Sequence, residues 1–220
     1  MNKERISIII PAYNEADRIG ETVRSVLPFA DELIVVDDGS EDETSIEARK
    51  AGAKVVRLSR NMGKGWAVRA GFLISKGNIL LLLDADLGSS AIEAISLVPP
   101  VLKGEADMTI ADLPKRRGGF GFVLALSRFG VRLFTGRNMN SPISGQRAMR
   151  REILEGFPWE GRFGFETALT IYALRKSYRV KEIPLNITHR RTGWSWRGFI
   201  HRGKQFVHIL FALFKILIRR

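Results

Sequence analysis

The stretch ILLLLDADLG, residues 79–88, indicates both the fold class and the kind of site that this chain carries. Five consecutive apolar residues, Ile79 to Leu83, do not alternate with polar ones, which is typical of a strand buried on both faces of a parallel sheet. Asp84 and Asp86 follow directly, where the strand gives way to a loop. The segment therefore predicts a central strand with two carboxylates at its carboxyl end.

Three earlier segments have the same apolar character and place this strand in a larger sheet. They are ISIII (6–10), ELIVVD (32–37) and KVVRLS (54–59). Helix-like stretches separate the four runs and cover residues 15–27, 42–51, 64–75 and 89–103. Strands that alternate with helices predict an α/β fold, with a mostly parallel sheet and helices on both faces. Such sheets bind ligands at the carboxyl ends of their strands.

The pattern is looser after about residue 105, and no linker divides the chain there. Residues 107–112 could form another strand. The other expected elements are helices at 122–135 and 164–176, a polar turn leading into a helix at 144–152, and an extended edge at 179–189 interrupted by Pro184.

The Asp84-Ala85-Asp86 segment is a candidate site for Mg²⁺ or Mn²⁺. Two carboxylates can hold a hard cation while its other coordination positions stay open for substrate phosphates. Such a cation would neutralise a diphosphate leaving group, which is the difficult part of sugar transfer from a nucleotide. The alternative is a pair of solvated acids in a loop. The apolar strand before them and the acids at 37–38 favour the metal site.

Polar residues that follow the other strands are candidate nucleotide contacts. In DDGS (37–40), Asp38 is the better candidate to contact the nucleotide base, and Asp37 is the better candidate for a supporting role. Alternatively, Ser40 caps the following helix, and Glu43 completes a capping box. In PAYNE (11–15), Tyr13 could line a base pocket and Glu15 could accept a hydrogen bond from the nucleotide, with a plain turn before a helix as the alternative.

The segment RNMGKG (60–65) could place the Lys64 ammonium beside the nucleotide. It lacks the G-x-x-x-x-G-K spacing of a phosphate-binding loop and the G-x-G-x-x-G spacing of a dinucleotide fold.

Positive charge is concentrated in two late segments of a chain whose net charge is +12. Residues 111–151 hold nine Lys/Arg and one acid, and residues 189–220 hold eight Lys/Arg and no acid. Such segments attract phosphates of nucleic acid, anionic lipid or substrate, unless they are only solvated faces. Because no aromatic-interleaved RNA motif or zinc finger accompanies them, a nucleic-acid-binding protein is disfavoured and no nucleic-acid partner is expected.

The last apolar run, Phe206 to Ile218, is 13 residues long and includes a histidine and a lysine. A spanning helix needs about 20 apolar residues. We expect residues 199–220 to form an amphipathic helix on an anionic membrane interface, or else a core or dimer-interface helix. Residues 1–198 form the remaining domain. No signal peptide and no cysteine are found, so we expect a cytoplasmic protein attached peripherally to the inner face of the cell membrane.

These motifs together resemble the family 2 glycosyltransferases with a GT-A fold, and most closely the polyprenyl-phosphate (dolichyl-phosphate) mannose or glucose synthases. The resemblance covers roughly residues 5–195. The motifs that carry it are PAYNE (11–15), VVDDGSEDET (35–44), NMGKG (61–65), LLDADL (82–87), SGQRAMRRE (144–152) and YRVKEIPLNITHRRTGWS (178–195).

The resemblance implies roles at matching positions. The nucleotide-sugar donor would contact Pro11, Ala12, Tyr13, Glu15, Asp38, Lys64, Asp84 and Ala85. The metal ligands would be Asp84, Asp86 and His189. An acceptor phosphate would contact Arg116, Arg117, Arg128, Arg132, Ser144, Arg147 and Arg190, in part through the basic loop around Lys115.

Three positions depart from the family pattern. Leu87 and Gly88 follow Asp86, where relatives often carry a further polar metal ligand, so His189 could substitute. Gln146 stands at the usual aromatic position of an SGFRA-like segment. Ala168 stands where relatives often carry an acid, and Glu166 is the nearest carboxylate.

Family 2 enzymes typically invert the anomeric centre in one displacement. A hydroxyl acceptor needs a general base, whereas a lipid phosphate is already anionic and needs cations instead. Glu166 is the only candidate base, while arginines are numerous, which favours a polyprenyl-phosphate acceptor. The expected catalytic residues are Asp86, Arg117, Arg128 and Glu166. A soluble hydroxyl acceptor and a nucleotidyltransferase remain alternatives, and the oligomeric state stays open.

Overall fold

The computed structural model describes residues 4–113, 121–159 and 164–187. Its strands are β1 (Ile6–Ala12), β2 (Glu32–Asp37), β3 (Lys54–Arg57), β4 (Ile79–Leu82), β5 (Met108–Asp112), β6 (Arg147–Arg150) and β7 (Val180–Pro184). Its α-helices are α1 (Ala16–Val26), α2 (Thr44–Lys50), α3 (Lys64–Ile74), α4 (Val98–Leu102), α5 (Gly121–Thr135), α6 (Arg151–Glu155) and α7 (Phe165–Arg175). Two 3₁₀ helices cover Leu27–Phe29 and Gly88–Leu97.

The strands form one seven-stranded sheet in the order β3-β2-β1-β4-β6-β5-β7. Neighbours from β3 to β4 are parallel, and β5 is parallel to β7. The expected α/β fold with a mostly parallel sheet is confirmed. Strand β6 is the exception, because it runs antiparallel to both β4 and β5.

The sequence did not predict β6, since a polar turn leading into a helix was expected at 144–152. The strand has four residues, RAMR, with arginines at both ends. Only Ala148 and Met149 carry the apolar signal, and their pairing with Leu81 and Leu80 joins positions far apart in the sequence. A short strand held by remote pairing leaves little trace in local pattern.

Apolar residues pack on both faces of the sheet, which explains the runs without alternation. Successive strand residues point to opposite faces. Ile8 and Ile10 belong to the cluster that includes helix α1, whereas Ile9 belongs to the cluster that includes α3 and α7. All three are completely buried, and each stabilises the fold by about 1.5–3 kcal/mol. Helices on both faces thereby fix the carboxyl edge of β1, β2 and β4.

Several expectations concern residues that the structure does not describe. They include the tail at 199–220 and four predicted site residues, Arg116, Arg117, His189 and Arg190. Within the described ranges, no helix is long and apolar enough to cross a membrane.

Candidate active site

The turn that carries Asp84 and Asp86 is held by helix α1. The Thr22 hydroxyl donates to the Ala85 carbonyl over 2.8 Å and accepts from the Gly88 amide over 2.8 Å. Thr22 is completely buried, whereas both aspartates are half-buried. Thr22 thus holds the backbone of the turn on either side of Asp86. Sequence reasoning missed Thr22, because one threonine in an amphipathic helix gives no distinctive signal.

Lys64 bridges two carboxylates that come from remote parts of the chain. Its Nζ lies 2.5 Å from Asp84 Oδ1 and 2.8 Å from Glu166 Oε1. Lys64 opens α3, Asp84 follows β4, and Glu166 lies in the first turn of α7. Burial by itself lowers the pKa of Lys64, but the charges of Asp84 and Glu166 and their hydrogen bonds outweigh it, so the pKa is raised. The ammonium therefore stays charged between the two acids.

The loop before β6 closes over Asp84 from the other side. The Gln146 amide Nε2 donates to Asp84 Oδ2 over 2.6 Å. Gly145 lies so close that a Cβ atom there would stand 2.5 Å from Asp84 Oδ2 and 2.6 Å from Lys64 Nζ. Gly145 and Gln146 therefore belong to the site, although the prediction singled out Gln146 only as a departure from the family pattern.

Arg147 does not lie where the sequence prediction put it, in contact with an acceptor phosphate. Its side chain is completely buried. The guanidinium donates to the carbonyls of Ser144, Pro142 and Glu166 and to the Thr170 hydroxyl. Burial lowers its pKa to about 10, against the attraction of Glu166 and Asp84, so it remains protonated at neutral pH. Arg147 thus ties the loop before β6 to helix α7.

Ser144, also expected at the acceptor phosphate, is buried beside it, and its hydroxyl donates to Gln146 Oε1 over 3.1 Å.

The loops after β1 and β2 hold each other. The backbone amide of Asn14 donates to Ser40 Oγ over 3.0 Å, and the side-chain Oδ1 of Asn14 accepts from the backbone amide of Glu41 over 2.9 Å. The proposed Ser40 cap is wrong, because α2 begins at Thr44 and the Ser40 hydroxyl serves this contact instead. Tyr13 lies at the tip of the first loop and is 42% exposed, so its ring is accessible to a ligand.

Pro11 and Ala12 are buried residues at the end of β1, and Ala85 is buried in the turn after β4. The Glu15 amide donates to Thr44 Oγ1 over 2.8 Å, which fixes the start of α1.

Asp38 organises the loop that leads to Lys64. Its carboxylate accepts from the backbone amides of Met62 (2.7 Å) and Gly63 (2.8 Å), and only 3% of the residue is exposed. Its neighbour Asp37 is completely buried and accepts from the Ser40 amide over 2.8 Å, a supporting role. Asp38, directly after β2, therefore fixes the backbone of the β3–α3 loop, while Asp37 fixes the turn at Ser40.

Replacing Asp38 with alanine should loosen this loop. One buried and one partly buried amide would lose a charged acceptor, so we expect a loss of about 2–4 kcal/mol in the free energy of unfolding. The position of Lys64 should loosen as well, because Lys64 follows Gly63 directly. Urea unfolding measures the loss of stability. Asp38→Asn keeps one acceptor oxygen and should be intermediate; an alanine variant as stable as the wild type would contradict this assignment.

Arg128 and Arg132 line a separate cavity of about 370 Å³ beside helix α5, whose other lining residues are Phe129, Asn138, Met139 and Asn140. Arg128 donates to the Asn140 carbonyl from Nε (2.8 Å) and Nη2 (2.6 Å). The Ser127 and Thr167 hydroxyls lie 2.8 Å apart and join α5 to α7 next to Glu166. The structure thus brings both arginines to one cavity on α5, a helix that also contacts α7 through Ser127 and Thr167.

The carboxylates of the 84–86 turn suit a divalent metal ion. Across the described ranges, no group of three or more histidines and acids is arranged to hold a metal. Mg²⁺ commonly binds through one or two carboxylates and completes its shell with water and substrate phosphates. Asp84 and Asp86, half-buried at the sheet edge, fit that mode.

The chain is similar in sequence to known glycosyltransferases. The model of glycosyl transferase family 2 matches residues 7–157. The chain belongs to this family. Its sequence is 31% identical to glycosyltransferase AglD of Haloferax volcanii over 82% of this chain and 32% of AglD. It is 28% identical to the dolichol-phosphate mannosyltransferase of Pyrococcus furiosus over 87% of this chain and 58% of that protein.

Solved structures of the family have the same fold. Glucosyl-3-phosphoglycerate synthase of Mycobacterium tuberculosis, in complex with Mn²⁺, UDP and phosphoglyceric acid, superposes with a TM-score of 0.83 at 27% identity. The match covers 96% of this chain and 78% of that one. The same synthase is also known with Mg²⁺ and UDP. This family 2 glycosyltransferase therefore has the GT-A fold, although it spans less than two thirds of several curated relatives.

Proposed function

We propose that this family 2 glycosyltransferase transfers a hexose from a GDP- or UDP-sugar to a polyprenyl phosphate at a membrane surface, with inversion and with Mg²⁺ or Mn²⁺ bound. Binding of the nucleotide-sugar donor is supported by one observation. Lys64, Asp84 and Glu166 form a cluster beside Asp86 at the carboxyl edge of the sheet.

The donor would bind across the loops after β1, β2 and β4. Asp84 and Asp86 would hold the cation, which when bound neutralises charge on the diphosphate. Tyr13 and Glu15 would line the base pocket, while Asp38 would position the β3–α3 backbone. Lys64 supplies a fixed positive charge between two acids. The complexes of the mycobacterial synthase with UDP and Mn²⁺ or Mg²⁺ support this assignment.

A phosphate-bearing acceptor fits the arginines of α5. Arg128 and Arg132 face a cavity of about 370 Å³, and helix α5 contacts α7 beside Glu166. One oxygen of Glu166 accepts from Lys64, which leaves this carboxylate engaged in an ion pair. An acceptor that is already anionic needs no general base. The dolichol-phosphate relative supports a lipid phosphate.

A second candidate is transfer to a hydroxyl of a soluble phosphorylated acceptor. The glucosyl-3-phosphoglycerate synthases favour it, since one of them superposes with a TM-score of 0.83. In that case Glu166 would take the hydroxyl proton, and the arginines would hold the acceptor's phosphate. Both candidates share the donor site and differ only in the acceptor.

The exposed side of α5 supports the proposal that the acceptor is a lipid at a membrane surface. Phe129 and Leu133 lie one turn apart and are 61% and 57% exposed, while Ser127 and Val131 on the opposite side are completely buried. No acid occurs from residue 113 to residue 151, and Arg132 is exposed beside the apolar pair. Bulky apolar side chains among cations suit an anionic bilayer surface. The basic tail at 199–220 would add to this attachment.

A fluorescent label can test contact between α5 and lipid. The chain has no cysteine, so Leu133→Cys would carry a single environment-sensitive fluorophore. We expect a blue shift with phosphatidylglycerol vesicles and none with phosphatidylcholine vesicles. Leu73→Cys on α3, where the side chain is 66% exposed, is the matched control and should not shift.

Binding to vesicles without a shift at position 133 would contradict contact through α5. A shift that grows with protein concentration in the absence of lipid would instead indicate a second copy of the chain.

The acceptor is tested by measuring nucleoside-diphosphate release and product mass with a polyprenyl phosphate, with 3-phosphoglycerate, or with neither. Release that requires the polyprenyl phosphate and yields a glycosylated lipid is the expected result. Release that requires 3-phosphoglycerate and is abolished by Glu166→Gln would select the second candidate.

A further inference from the structure

Gln146 is a completely buried polar side chain beside the carboxylate cluster. Its carboxamide makes two hydrogen bonds, from Nε2 to Asp84 Oδ2 (2.6 Å) and from the Ser144 hydroxyl to Oε1 (3.1 Å). Its backbone carbonyl accepts from the Ala111 amide over 3.0 Å, which fixes the residue against the edge of β5. A buried amide is costly unless its bonds are made, so both contacts stabilise this arrangement.

The chemistry of the neighbours fixes which way the amide faces. An ionised carboxylate only accepts hydrogen bonds, so the NH₂ end must face Asp84. The oxygen end then requires a donor, and the Ser144 hydroxyl supplies it. The reverse orientation would set two oxygens against each other at 2.6 Å. Ser144 thus acts on Asp84 through Gln146.

Asp84 is held from two sides at once. Lys64 binds Oδ1 and Gln146 binds Oδ2, so rotation of the carboxylate would break at least one short bond. The two donors differ in charge. Lys64 cancels negative charge between Asp84 and Glu166, whereas the amide orients Asp84 without cancelling any. The negative charge that attracts a divalent cation is thereby retained.

We propose that Gln146 is a positioning residue, which fixes the carboxylate of Asp84 in the orientation that receives the metal–diphosphate end of the donor. The inference rests on the donor site proposed above and is independent of the acceptor.

Gln146→Met tests the proposal, because methionine has a similar length and volume but no donor. We expect UDP or GDP to bind about 10- to 100-fold more weakly in the presence of Mn²⁺, as measured by calorimetry, from the loss of a hydrogen bond to a charged group. The KM for the donor should rise by a similar factor, while kcat changes less. Thermal unfolding should shift by only a few degrees.

Ser144→Ala is the second variant, and it should weaken nucleotide binding by a smaller factor, about 3-fold, since the amide can still donate to Asp84. If Gln146→Met does not fold, a normal nucleotide affinity in Ser144→Ala would overturn the proposal. A folded Gln146→Met protein with wild-type nucleotide affinity would overturn it too and leave Gln146 a purely structural role. Failure of the wild type to bind UDP or GDP with Mn²⁺ would instead overturn the donor site, and the positioning role with it.

Discussion

Gly145→Ala is expected to lower kcat/KM for the sugar donor by about 100-fold or more while the protein stays folded. A Cβ atom there would collide with the Asp84 carboxylate and the Lys64 ammonium. Both are the ends of side chains, so they can move aside without disturbing the backbone. A displacement of about 1 Å in a group that positions the substrate can cost a factor of about 100 in rate.

Steady-state kinetics and thermal unfolding of Gly145→Ala measure the two halves of this expectation. Gly20→Ala is the matched control, because the new methyl group on α1 would meet only the flexible Arg24 side chain, at 3.3 Å. That variant should keep full activity. A Gly145→Ala protein within a few-fold of wild-type activity would show that the close approach of this loop to Asp84 is not needed for transfer.

Lys64→Met is expected to lower kcat/KM by about 100-fold as well, because the cation that joins Asp84 and Glu166 is removed. The two carboxylates would then repel each other and move apart. The loss of stability should be modest, since 34% of the Lys64 side chain is exposed and water screens such a pair. Lys64→Arg keeps the charge and should recover part of the activity.

Lys50→Met is the control for loss of a lysine charge, since Lys50 pairs with Glu47 on the exposed surface of α2. Its kinetics should match those of the wild type. Full activity in Lys64→Met, with only a lower melting temperature, would mean that the ion pairs of Lys64 stabilise the fold but do not contribute to transfer.

The core sheet could be predicted because its strands are buried on both faces. Ile8, Ile9 and Ile10 pack alternately on the two layers of helices, so the sequence shows an unbroken apolar run. The carboxyl edge of a parallel sheet then places Asp38 and Asp84 on one side without further information. Strand β6 was not predicted. It has only four residues, begins and ends with arginine, and forms because it pairs with β4, which is remote in the sequence.

The sequence predicted which residues belong to the candidate site better than it predicted which of them contact each other. Asp84, Lys64 and Glu166 were each singled out, but their convergence depends on where α3 and α7 begin in space. Arg147 was assigned to an acceptor on the strength of its motif, whereas the fold buries it completely. Positive charge in a sequence does not distinguish a surface arginine from one that satisfies buried carbonyls.

We propose that the 84–86 turn binds a metal–nucleotide-sugar complex for transfer. The most direct test is nucleoside-diphosphate release from a panel of UDP- and GDP-sugars, with and without Mn²⁺ or Mg²⁺, by the wild type and by Asp86→Ala. We expect metal-dependent release from at least one donor by the wild type. We expect a loss of about 100-fold or more in Asp86→Ala at an unchanged melting temperature. An Asp86→Ala protein that releases the nucleotide as fast as the wild type, or release that needs no metal, would contradict metal-dependent transfer at this turn.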